Sequence, residues 1–162
     1  MPRRPFSTRL MRLLKDRRGS AMVEAALVLP LVMTLTFGLI EMGRALHHHH
    51  VLSKSVRDAA RYLARVPLGC PATVDANWAT ASATAKTLAL TGRMNGTTPL
   101  VSYWTTGAFT IAPPTCQTIM GREVQVMAVT GAVNYQSLGF LNLINLPSFQ
   151  LRASHREMHI GE

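Results

Sequence analysis

Twenty consecutive residues constrain this chain more than any other part of it. From Ala21 to Ile40 it reads AMVEAALVLPLVMTLTFGLI, with Glu24 as its sole charge. A helix rises about 1.5 Å per residue, so this run is roughly 30 Å long, the thickness of a bilayer's hydrocarbon core. A globular core helix is rarely apolar on every side over this length, as this run is. Pro30 would break a soluble helix, but membrane helices accept the kink where neighbouring groups satisfy the freed carbonyl. The run predicts a single transmembrane helix over about residues 21–40, kinked at Pro30 and in contact with membrane lipid.

The charge distribution orients it. The chain has 17 Lys+Arg against 8 Asp+Glu, and seven of those bases but only one acid, Asp16, fall within residues 1–19. Close after the apolar run stands only Arg44. The positive-inside rule therefore places the N-terminus in the cytoplasm and the rest outside. A nucleic-acid-binding protein spreads positive charge over the face of its folded domain; here the excess is a short leader, so no nucleic-acid partner is expected. With 48% hydrophobic and 15% charged residues the chain is not disordered. A cleaved secretory signal is the competing reading. Gly43-Arg44-Ala45 is a poor small-x-small site, and Glu24 inside the apolar run argues against it as well.

The junction of leader and span reads Arg17-Arg18-Gly19-Ser20-Ala21-Met22-Val23-Glu24. A glycine closes the basic block, a small residue follows, and a carboxylate stands fifth after the glycine. Glycine lets a backbone enter a protease cleft extended, and the bases hold the site at the cytoplasmic membrane face. A carboxylate in a membrane helix is costly unless paired. The junction resembles the processing site of type IV pilin-like proteins. That resemblance implies cleavage by a prepilin peptidase between Gly19 and Ser20, with Glu24 then fifth in the mature chain. It also implies that Glu24 pairs with the freed α-amino group of a neighbouring subunit.

The stretch from Gly19 through Pro30 to Leu31, followed by Glu41-Met-Gly-Arg44 and Arg57-Asp-Ala-Ala-Arg61-Tyr-Leu-Ala-Arg65, is similar to the TadE-like pseudopilins of tight-adherence (Tad/Flp) systems. The resemblance covers about residues 18–65. Glu24 is followed by Ala25 rather than the tyrosine typical of the major Flp pilin, which points to a pseudopilin or minor pilin. Implied partners are the prepilin peptidase, other pilins and minor pilins, and the membrane platform of pilus assembly. The implied location is the bacterial inner membrane, with the C-terminal domain in the periplasm or carried into an extracellular filament. Implied function is contribution to pilus assembly and surface attachment. The alternative from the residues alone is an unprocessed, membrane-anchored periplasmic binding or metal-handling module.

Beyond the span, Met42, Ala45, His49, Leu52, Val56, Ala59, Leu63 and Val66 recur at steps of three and four, which predicts that the helix continues to about Val66. Pro67 and Gly69 would end it. His47 to His50 point around the whole helix and cannot converge on one ion, so they read as a polar collar with His49 partly buried. No metal site is expected. Cys70 and Cys116 are the only cysteines. An oxidising compartment favours their disulfide, joining the helix end to the loop that begins Pro113-Pro114. Closing a loop of this length stabilises by on the order of 4 kcal/mol in the chain-entropy picture.

The remainder reads α+β: a long N-terminal helix followed by a small antiparallel-sheet domain with short helices. Residues 75–91 form a helix stopped by Gly92. Leu100–Thr105 and Ala108–Ala112 make a hairpin about Thr106-Gly107. Glu123–Tyr135 is a strand with a bulge at Gly131. Residues 137–146 form an apolar connector with one short helix, and Phe149–Met158 is a final strand. Tyr103-Trp104 falls in the first strand of that hairpin. The expected organisation is a cytoplasmic leader (1–19), a long helix (20–66) and an outer domain (67–162). No phosphate loop, nucleophile elbow or paired-ligand helix occurs, so no enzyme activity and no cofactor are expected.

Overall fold

The computed structural model describes residues 18–66, 70, 74–143, 145 and 147–159. One helix, α1 (Arg18–Leu63, 46 residues), carries two kinds of sequence. From Ala21 to Ile40 its side chains are mostly exposed and, apart from Glu24, Thr34 and Thr36, non-polar, and the chain stays helical through Pro30. Thr34 and Thr36 donate their hydroxyls to the carbonyls of Pro30 and Val32, both at 2.8 Å. This leaves neither hydroxyl unpaired on an apolar surface. Contacts divide the chain after Ile40 into two compact units.

In the second unit, Glu41–Glu162, the same helix becomes one-sided. Ala45, Leu52, Val56, Ala59 and Leu63 are buried at helical spacing, and with them Glu41 and His48. The expected stripe is therefore corrected at two positions: Met42 and His49 are exposed. From Ala45, steps of three and four both fit a helix. The structure takes the pair whose polar atoms have partners. The helix ends at Leu63, slightly before Val66, and Pro67 and Gly69 lie outside the described residues.

Helix α2 (Ala76–Thr91) follows its sequence signals closely. The Asp75 carboxylate accepts from Trp78 N at 2.9 Å, capping the first turn, and Gly92 closes the last turn in the left-handed conformation (φ 74°). Its buried face is Trp78, Ala81, Ala85 and Ala89. Small side chains there let the helix approach the core closely.

The sheet has three antiparallel strands in the order β1 (Phe109–Ile119), β2 (Arg122–Asn134), β3 (Gln150–Met158). Two expectations are corrected here. Residues 100–105 make turns, with Trp104 N donating to Val101 O, because Val101 and Trp104 bury their side chains in the core. The hairpin about Thr106-Gly107 is absent from the described residues; that segment is a 3₁₀ turn. The hairpin lies instead at Met120-Gly121, both with positive φ (51° and 77°), the signature of a two-residue turn matching strand twist.

Pro113-Pro114 sit inside β1, not at the start of a loop, at a register shift between Ala112 and Thr115. Proline is tolerated there because β1 is an edge strand and the shift relieves the pairing. Cys116 is thus a strand residue. It is bridged to Cys70 with their Cα atoms 6.0 Å apart. The bulge expected at Gly131 does not occur. Gly131 pairs regularly with Phe109 on one side and Ala153 on the other. It faces α1, and a Cβ built there would lie 2.7 Å from Leu52 Cδ1 and 3.0 Å from Val56 Cγ2. The glycine is required by close approach of helix and sheet.

The inner row of the sheet includes Phe109, Met127, Val129, Val133 and Leu151, all buried, under the helices. Along β3 the inner row continues as Ala153, His155 and Glu157, while Arg152, Ser154 and Arg156 face away. The connector after β2 contains one short helix, α3 (Phe140–Leu143), with Leu141 packed against the core. The architecture is the α+β class expected from the sequence: a long apolar helix, then a small antiparallel sheet with short helices.

Candidate functional site

The N-terminal candidates all lie on α1. Gly19, Ser20 and Glu24 are exposed, and the helix continues unbroken past them to Pro30 and beyond. The Glu24 carboxylate has no hydrogen-bond or ion-pair partner among the described residues. Around it Met22, Val23, Leu27, Val28 and Leu31 present apolar surface outward. The structure therefore places a single unpaired acid among apolar neighbours.

A second constellation escaped the sequence reading. Just beyond the apolar run, Glu41 is 4% exposed and His48 is 8% exposed. They lie two helical turns apart on one face, with Ala45 between. The Glu41 carboxylate accepts from Leu138 N at 3.2 and 3.3 Å, and the Tyr135 hydroxyl donates to the Glu41 carbonyl at 3.4 Å. Arg44 donates to Gln136 O at 2.9 Å while its guanidinium lies 5.7 Å from the Tyr135 ring centre. Tyr135 stacks on Phe149, the residue just before β3, with ring centres 4.9 Å apart. His48 Nδ1 is hydrogen-bonded to the Tyr103 hydroxyl at 2.9 Å, and its ring lies near both Tyr103 and Tyr135.

These groups tie the helix to the segment after β2 and to the 101–104 turns. The signal was present in the sequence: Glu41, Ala45, His48 and Leu52 step by four, three and four. A hydropathy-based stripe passes over it because two of the four are polar.

Burial pushes the His48 pKa below its ordinary 6.5, and the positive charge of Arg44 and the neighbouring His47 push the same way. Burial also pushes the Tyr135 pKa up to about 12, helped by hydrogen bonding to Glu41 and its negative charge and opposed by Arg44. The unfolded chain therefore takes up the histidine proton at a higher pH than the folded one. Stability from this group is complete above about pH 6.5 and falls as pH drops from there towards the lower folded value. The melting temperature of the purified chain is expected to fall between pH 7.5 and pH 5. His48→Gln should flatten that decline. An identical decline in both proteins would show that His48 is not responsible.

The histidine run holds no metal cluster. His47, His49 and His50 are exposed, and only His48 turns inward. His155 pairs with Glu157 at 2.8 Å, and His159 donates to the Ala64 carbonyl, closing the end of β3 against the end of α1. Among the described residues no three His, Cys, Asp or Glu side chains gather in a way that would hold a metal ion.

One helix among the described residues is long and apolar enough to cross a membrane, and it continues into an antiparallel α+β unit, an arrangement consistent with a membrane-anchored protein. Residues 19–61 match the family model of TadE-like proteins. Neither a curated protein nor a solved structure matches the chain. The family segment begins at Gly19 and includes Glu24, Pro30, Glu41, Arg44 and His48.

Proposed function

We propose that the protein is a pseudopilin or minor pilin, processed by a prepilin peptidase and used in assembling a tight-adherence pilus for surface attachment. The observation that carries this reading is the TadE-like segment, which starts at the glycine closing the basic leader. Cleavage between Gly19 and Ser20 leaves a mature chain whose fifth residue is Glu24. The apolar part of α1 is held in the inner membrane with the leader on the cytoplasmic side and the Glu41–Glu162 unit on the other. Pro30 bends the span by leaving the Ala26 carbonyl without its helical donor. Partners are the peptidase, other pilins and minor pilins, the assembly platform and membrane lipid. The Cys70–Cys116 bridge fits an oxidising compartment.

The test is the N-terminal mass of protein recovered from membranes of cells that hold the cognate peptidase. The mature chain is expected to begin at Ser20, and Gly19→Leu is expected to keep the leader. An intact wild-type leader, or a start near Leu46, would refute processing of this kind. The first outcome would favour the unprocessed anchored module and the second ordinary signal cleavage.

A further inference from the structure

Along α1 in the second unit a depression with a volume of about 810 Å³ lies between the helix and the 91–100 segment. It continues into a second of about 400 Å³, which shares Asp58 and Leu88 with the first. Ser55 lines the larger one, is 3% exposed, and its Oγ has no hydrogen-bond partner. That is unusual in this chain: Thr34, Thr36, Thr80, Thr84 and Thr87 all return their hydroxyls to the carbonyl one turn back. A buried hydroxyl left unpaired is destabilising unless something outside the fold satisfies it.

The charges around it are also unspent. Lys54 and Arg93 line the larger depression, Arg61 and Arg65 line the smaller, and none has an ion-pair partner among the described residues. Asp58 is the one acid among the described residues lining these two depressions, and Glu157 lies beside Arg61 and Arg65 in a third, so the cations remain in excess. Beside the cations are exposed apolar side chains, Met94 at 54% and Leu100 at 50%.

We infer that this groove binds an acidic, leucine-type peptide segment of another protein, its carboxylates on the Lys54–Arg65 row and its apolar side chains against Leu88, Met94 and Leu100. Three observations select this occupant. The excess of cations calls for carboxylates, and the apolar wall calls for side chains that a simple anion lacks. The length calls for a chain: Lys54 to Arg65 is about 16 Å along the helix, the span of about five extended residues. None of Gly19, Ser20 and Glu24 lines the groove, so it stands or falls separately from processing and assembly.

The test uses the full chain in detergent and fluorescence anisotropy of labelled hexapeptides alternating leucine with glutamate, glutamine or lysine. The leucine–glutamate peptide is expected to bind at least about tenfold more tightly than the other two. Lys54→Glu and Arg61→Glu should each weaken it by about tenfold, as should Ser55→Leu, which fills the floor. Arg152→Glu, on the far face of the sheet, should leave it unchanged, and circular dichroism should show all four variants folded. The inference is overturned by equal binding of the three peptides, by equal weakening in Arg152→Glu, or by polygalacturonate competing as well as the glutamate peptide.

Discussion

Gly131→Val is expected to lower the melting temperature of the Glu41–Glu162 unit by roughly 10 °C. The first carbon of any side chain at this position would stand 2.7 Å from Leu52 Cδ1 and 3.0 Å from Val56 Cγ2, inside normal contact. Both neighbours are fully buried, so they have no solvent to move into. Overpacking of this kind costs about 1–3 kcal/mol, and a unit of this size loses several degrees per kcal/mol. Gly131→Ala should cost less, since one methyl can be met by a shift of the Leu52 side-chain end.

A double substitution separates overpacking from loss of the glycine itself. Leu52→Ala alone should destabilise by about 2–5 kcal/mol through the cavity it leaves. Combined with Gly131→Val, the valine fills part of that cavity, and the pair should cost clearly less than the two changes added together. Additive costs in thermal or denaturant melts would mean that Gly131 is needed for strand geometry and not for the approach of α1.

What could be read from the sequence depended on whether the signal was local. The helix over residues 75–91, its Gly92 stop and the strand alternation of residues 149–158 are each written within a few residues, and the structure has them where expected. The apolar run from Ala21 to Ile40 is likewise a local signal, written in composition alone. Gly131 was misread because a glycine in a strand serves either a bulge or a close approach. Only the identity of what packs on it, Leu52 and Val56 some eighty residues earlier, decides between them. The strand expected at Leu100–Thr105 failed for the same reason. Its aromatic and β-branched residues were selected for burial, and Trp104 meets Phe109 edge-on in the core while its backbone makes a turn. The Glu41–His48 face was missed because polar residues interrupt a hydropathy stripe. Its meaning rests on Tyr103, Tyr135 and the Leu138 amide, which the chain brings back from far along the sequence.

Glu24→Ala and Glu24→Gln are expected to leave membrane insertion and cleavage after Gly19 intact while sharply reducing incorporation into pilus assemblies. An acid at the centre of a membrane helix costs near 3 kcal/mol on insertion scales. Glu24 lies close to the N-terminal end of the apolar run, where its carboxylate can reach the interface and that cost shrinks. Insertion should therefore be indifferent to the change. Assembly should not be. The carboxylate has no partner within the described chain, and it stands among outward-facing apolar side chains that a packed neighbour would cover. Covering an unpaired charge is expensive, whereas covering it together with a positive α-amino group of an adjacent subunit requires both members of the pair. Removing the acid leaves the partner's charge buried alone. The melt of the Glu41–Glu162 unit should be unchanged, because Glu24 lies outside it. The measurement is the fraction of mature protein cross-linked to other pilus subunits in wild type and in each variant. Equal cross-linking in all three would reduce Glu24 to an interfacial acid and remove the residue on which the proposed pairing depends.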